Sequence, residues 1–144
     1  MSDIDITDNT KQVMDAADGA LQRALEIIGE KAESYAKALC PKDTGNLQNT
    51  ITARVNGEVV EVGSPVVYAP YVELGTGKHY SPPPEWIEFT AKQGSGRDKW
   101  FYQDEKGDWH TGYPQVGRPF IRPAVSEHQD EYRHVIENEM QNAQ

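Results

Sequence analysis

Residues 51–62 read Ile51-Thr52-Ala53-Arg54-Val55-Asn56-Gly57-Glu58-Val59-Val60-Glu61-Val62. Apolar Ile51, Ala53 and Val55 alternate with polar Thr52 and Arg54, the pattern of a strand with one buried face. Asn56-Gly57 is the preferred pair for a two-residue type I′ turn, in which both residues need positive φ. Glu58 to Val62 then forms the return strand. A lone hairpin is at best marginally stable in water, so the flanking segments must cover its apolar face.

On the N-terminal side, Ala17, Leu21, Ala24, Ile28, Ala32, Tyr35 and Leu39 recur at steps of three or four, one stripe on a helix over residues 10–40. Residues 1–9 read as a flexible tail ending in possible N-caps. Pro41 closes the helix, because the residue before a proline avoids the helical region. Pro41 to Leu47 is a loop of turn-forming residues that can open a short helical turn. On the C-terminal side, Ser64-Pro65 breaks the return strand, Val66-Val67-Tyr68 is a third apolar piece, and Ala69 to Leu74 reads either as a strand end or as a helical turn. Residues 50–77 are thus the expected sheet core, and residues 78–115 an insertion.

Within the insertion, residues 85–92 suit two helical turns between Pro82-Pro83-Pro84 and Gly94-Ser95-Gly96. Lys99 to Gln103 and Asp108 to Thr111 flank a Gly-containing turn, a second hairpin rich in aromatic residues. Pro119, Phe120, Ile121 and Pro123 read as a rigid extended entry to a last helix over 124–142, with Val125, His128, Tyr132, Val135, Ile136 and Met140 on its apolar side. The expected fold is a single α+β domain over 1–144, with the two long helices packed on a small antiparallel β-sheet.

Composition excludes several classes. The 144 residues carry a net charge of −9, which does not suit a broad phosphate-binding face. Residues 1–40 hold 8 acidic and 4 basic side chains, residues 41–123 hold 10 and 9, and residues 124–144 hold 5 and 1. The acidity therefore sits at the two ends. No run approaches the roughly 20 apolar residues of a membrane span, and the polar, acidic start has neither the pattern of a secretory signal nor that of a transit peptide. Cys40 is the one cysteine, so there is no internal disulfide and no Cys-cluster zinc site, and synthesis in a reducing cytoplasm is expected.

Short motifs suggesting chemistry have simpler readings. Asp43-Thr44-Gly45 is the tripeptide of aspartic proteases, but those need two such aspartates sharing a proton; here it reads as a capping turn. His79, His110, His128 and His134 have no metal-ligand spacing on a helix. Gly75-Thr76-Gly77-Lys78 lacks the phosphate-loop spacing. Lys92, Arg97 and Lys99 beside Trp100, Phe101 and Tyr102 could stack single-stranded nucleic acid, yet Asp98, Asp104, Glu105 and Asp108 oppose that. A protein-contact loop, or a satellite core under the hairpin, fits better. Arg118 and Arg122, on the proline-stiffened stretch before the last helix, are expected to face outward. Glu73, amid apolar residues, is either solvent-facing or a fixed hydrogen-bond acceptor. Arg97, Lys99, Trp100, Tyr102, Trp109, Arg118 and Arg122 are the candidate interface residues.

Four segments carry a resemblance. They are Pro41-x-Asp43-Thr44-Gly45-x-Leu47 after the long helix; Tyr68-Ala69-Pro70-Tyr71-Val72-Glu73-Leu74-Gly75-Thr76-Gly77; the Trp100–Gly112 hairpin; and Arg118-Pro119-Phe120-Ile121-Arg122-Pro123-Ala124. Over about residues 10–140 the chain resembles the neck and tail-completion family of tailed bacteriophages, the gene-product-ten-like proteins of Hong Kong type phages. The resemblance implies a virion structural protein without catalytic residues, cofactor or metal. It implies a ring of copies around the DNA channel that joins head to tail, between head-completion and tail-terminator neighbours, with DNA passing unbound and no membrane contact. A tail terminator or another minor tail component is the alternative, and a small hydrolase using Asp43, Glu73 or a histidine is a more distant one. Asp43, Thr44, Gly45, Leu47, Tyr68, Ala69, Tyr71, Val72, Glu73, Gly75, Gly77, Pro119, Phe120, Arg122 and Pro123 would then be chiefly fold-defining.

Overall fold

Thr10–Leu39 form one 30-residue helix, α1, in a computed structural model that describes residues 9–42, 45–66, 68–80 and 98–143. Asp43, Thr44, Arg97, the expected turns at 85–92 and nearly all of the N-terminal tail lie outside the described residues. The buried face of α1 is Ala20, Ala24, Leu25, Ile28, Gly29, Ala32 and Ala36, whereas Leu39, expected on the stripe, is exposed. Small side chains dominate this face because other backbones pack close to it: a Cβ on Gly29 would touch Ala53 and Val60 of the hairpin at ordinary contact distance. Cys40 ends the helix in an extended conformation before Pro41. Burial raises its thiol pKa.

The hairpin pairs β1 (Thr52–Asn56) with β2 (Val59–Gly63), antiparallel. Its turn is Gly57-Glu58 rather than Asn56-Gly57, since Asn56 pairs with Val59. Only Gly57 has positive φ there, at 63°, which places the glycine at the first central position as in a type II′ turn. The alternative register would set Glu58 opposite Val55 on the face that meets α1. The observed one pairs Val55 with Val60 and Ala53 with Val62 on that face, and Arg54 with Glu61 on the other.

Between these elements, Gly45 in the left-handed region (φ 72°) starts α2 (Asn46–Thr50), which buries Leu47. Ala69–Leu74 is a helix, α3, followed by a 3₁₀ turn at Gly77–His79. The aromatic hairpin forms as expected, β3 (Trp100–Gln103) with β4 (Trp109–Gly112). The architecture is α+β, with two separate two-stranded antiparallel sheets among the described residues.

The C-terminal region departs from the expected single helix. It holds α4 (Ile121–Ser126) and α5 (Gln129–Asn142), separated at Glu127-His128. Ile121 and Pro123, expected in an extended entry, are inside α4. Pro123 is its third helical residue, a position whose N–H has no intrahelical partner, so proline is tolerated there. Phe120 and Ile51 are the largest fully buried side chains among the described residues. They join Ala36, Cys40, Leu47, Ala69 and Ala124 in one core cluster under α1. No residue of α5 is fully buried, and Val125 and Met140, expected on the apolar side, are exposed.

Candidate interface and the buried clamp that shapes it

The Tyr68–Gly77 and Arg118–Ala124 segments meet through Glu73, whose residue is 3% exposed. Its Oε2 accepts the backbone N–H groups of Phe120 (2.7 Å) and Ile121 (3.0 Å), and its Oε1 accepts the N–H and the Nε–H of Arg122, both at 3.0 Å. The first backbone N–H groups of a helix lack intrahelical partners. In α4 these belong to Phe120, Ile121 and Arg122, while Pro123 has none to offer. One carboxylate from a distant segment thus caps the helix, a role normally taken by the residue just before it. Of the two readings open for Glu73, the structure shows the fixed acceptor.

The same segments also cross backbone to backbone. Arg118 N–H donates to Val72 O (2.7 Å), Thr76 N–H to Gln115 O (2.8 Å), and Gln115 N–H to Thr76 Oγ1 (2.8 Å). Gly75 and Gly117 lie at the crossing. A Cβ on either would come within 3 Å of backbone atoms of the opposing strand of chain. The Gly117 contact was not anticipated from sequence, where nothing signalled that residues so far apart would touch.

This clamp sets the adjoining surface. Arg118 is exposed, as expected; Arg122 is not free, being held by Glu73 with its side chain 40% exposed. A shallow groove of about 250 Å³ opens beside the crossing, lined among others by Tyr68, Tyr71, Val72, Val116 and Arg118. Ala69 and Gly77 are buried, and Pro119 is exposed.

The β3–β4 hairpin has two unlike faces. On one, the Trp100 ring covers Gly112, and Tyr102 stacks on His110 with centroids 5.4 Å apart. On the other, Phe101 and Trp109 stand in solvent, with Lys99 Nζ 5.9 Å from the Phe101 ring centre. Asp104 organises the turn. Its Oδ1 accepts the N–H groups of Lys106 (2.9 Å) and Asp108 (3.0 Å), and its Oδ2 lies 2.7 Å from His110 Nε2. These contacts, the histidine first, hold its carboxyl below the usual range. Replacing Asp104 by Ala should loosen the hairpin alone. We expect loss of the near-ultraviolet aromatic signal without a matching fall in Tm, and a parallel fall in both would show that the hairpin belongs to the main core.

A polar joint fastens α5 to α1. Glu131 accepts from Lys31 Nζ at 2.9 Å and from the Tyr35 hydroxyl, and His128 stacks on Tyr35 with ring centres 3.6 Å apart. Tyr35 first, then Lys31, hold the Glu131 carboxyl below its ordinary 4.5. Hydrogen bonding to Glu131 raises Tyr35 above 10.0 and Lys31 above 10.5. A depressed carboxyl contributes stability above its unfolded pKa and loses it as pH falls through the folded value. The raised phenol and ammonium contribute below their unfolded values and lose it as pH climbs through the folded ones. The joint should therefore hold from above 4.5 to below 10 and release on both sides. Hydrogen exchange of α5 amides against pH checks this: Glu131→Gln should remove the acid-side release, and an unchanged acid profile would disprove the assignment.

Among the described residues, no group of three His, Cys, Asp or Glu side chains is arranged to hold a metal ion, and no helix is long and apolar enough to cross a membrane. What the surface presents is aromatic, apolar and charged groups suited to protein contact. Residues 5–75 match the family model described as "Bacteriophage HK97-gp10, putative tail-component". Over that stretch, just under half of the chain, the sequence is similar to that family of phage tail components. The match takes in α1, the first hairpin and α3 up to Gly75, while the aromatic hairpin and the Arg118–Ala124 segment lie beyond it. Comparison with curated proteins and with solved structures gave no significant match.

Proposed function

We propose that this protein acts at the phage neck, where copies form a ring around the DNA channel and join the filled head to the tail. The observation that carries the reading is the family match over residues 5–75. The physical character of the surface supports it. A closed ring needs two different complementary faces on each subunit, and the hairpin and the groove are two such surfaces. Phage head-completion and tail-terminator proteins are the expected neighbours. Acidic chain ends bordering the lumen would let DNA pass without being gripped; a basic belt facing DNA in the assembled ring would contradict this.

A role as tail terminator or other minor tail component is the second reading, since the matched family is described only at the level of the tail. A hydrolase built on Glu73 is disfavoured, because that carboxylate is buried and already accepts four hydrogen bonds. The test is a stop codon in the gene within its phage, followed by electron microscopy of the lysate. Filled heads beside unattached tails are expected. Tails of abnormal length would favour the terminator reading, and intact infectious virions would remove the structural role.

A further inference from the structure

We propose that the β3–β4 hairpin of one copy seats its Phe101–Trp109 face in the Tyr68–Val116 groove of the next copy. The inference rests on the ring reading above and names the contact that would build it. Phe101 and Trp109 are 65% and 69% exposed, on the face opposite the one where Trp100 lies over Gly112 and Tyr102, 48% exposed, stacks on His110. Two large rings left in water on a two-stranded ribbon are unfavourable until something covers them. In the groove, Tyr68 and Val116 are 41% and 70% exposed. Its volume of about 250 Å³ lies below the roughly 300–1,000 Å³ of small-molecule pockets, so an inserted side chain suits it better than a ligand.

Charge favours a second copy as the occupant. The hairpin turn carries Glu105 and Asp108, whose carboxylates form no ion pair among the described residues. The groove carries Arg118, whose guanidinium likewise forms none there. An acidic turn brought to an arginine rim fixes orientation as well as attraction. The hairpin has little slack to fold back on its own groove: only Tyr113 and Pro114 lie between Gly112 and Gln115, which are at most roughly 10–11 Å apart at full extension. Hairpin and groove are unlike surfaces, so the contact is head-to-tail, and it closes only as a ring.

The test uses virions from phage carrying the stop codon, complemented with full-length protein. Trp109→Cys and Val116→Cys variants are supplied singly or as an equal mixture, and a short bis-maleimide is added to purified particles; the native Cys40 is buried. A cross-linked dimer is expected from the mixture and not from either variant alone. A dimer from Trp109→Cys alone would mean a two-fold hairpin contact and would overturn the proposal. A cross-link to a different virion protein, or none in particles that contain both variants, would overturn it while leaving the ring reading intact. Absence of the wild-type protein from virions would instead overturn the ring reading.

If the cysteine variants do not assemble, charge reversal decides. Arg118→Glu alone, and Glu105→Lys with Asp108→Lys, should each lower infectious titre about tenfold or more, and their combination should restore it. Failure of the combination to rescue, with each protein still folded by circular dichroism, would overturn the contact.

Discussion

Glu73→Ala should destabilise the protein by about 3–5 kcal/mol, because three backbone N–H groups at the start of α4 lose their acceptor and each buried orphan donor costs roughly 1–3 kcal/mol. Arg122 loses its partner as well, but its side chain is 40% exposed and water replaces part of that bond. The informative companion is Glu73→Gln. The carboxylate serves its donors with both oxygens, Oε2 for Phe120 and Ile121 and Oε1 for Arg122. A glutamine has one oxygen, so its NH₂ group must face donors that have nothing to receive. We therefore expect Gln to be nearly as damaging as Ala, although it is almost the same size and removes a buried charge. Urea unfolding reads the difference, and a Gln variant within about 1 kcal/mol of the wild type would show that one oxygen suffices and the second acceptor is dispensable.

Gly75→Ala should be comparably severe for a different reason. Gly75 has φ 90° and ψ −178°, a conformation essentially restricted to glycine and costing of order 1–3 kcal/mol for other residues. The new Cβ would also lie 2.7 Å from His79 O, 2.9 Å from Gln115 O and 2.9 Å from Gly117 N. These are backbone atoms and cannot rotate away, so overpacking adds about 1–3 kcal/mol more. Gly117→Ala isolates the second cause: its Cβ would be 2.7 Å from Leu74 C and 2.8 Å from Glu73 O, without a positive φ. Gly57→Ala isolates the first, with φ 63° and nothing within 4 Å. The expected order of damage is Gly75, then Gly117, then Gly57. A Gly75 variant no worse than the Gly57 variant would mean that the crossing opens without cost. Because the crossing positions Glu73 against α4, Gly75→Ala and Glu73→Ala should combine to less than the sum of their separate effects.

The α1 stripe and the alternation in residues 51–55 specify local periodicities, and periodicity needs no knowledge of distant residues. For that reason the long helix, both hairpins and the α+β class were legible. Turn identity was less so. Asn56-Gly57 is the better turn pair by local preference, but keeping Glu58 off the face that packs on α1 moved the turn to Gly57-Glu58. Likewise Pro123 reads as a helix breaker until one sees that it sits where a helix has no N–H to lose.

The motif residues show the same division. Their grouping into Tyr68–Gly77 and Arg118–Ala124 was visible in the amino-acid order, as was the ambiguity of Glu73. That the two groups form one object was not: a carboxylate's partner 47 to 49 residues away leaves no spacing signal in a single chain. The sequence alone determined the long first helix, the two hairpins and the acidic ends, because these follow from local pattern and composition, and its motifs carried the phage-tail resemblance. Only the tertiary structure decided that Arg122 turns inward while Arg118 stays exposed, that Gly117 meets Gly75, and that Phe101 and Trp109 lie exposed. Those outcomes depend on which backbones approach within contact distance, and close approach is a property of the packed chain as a whole.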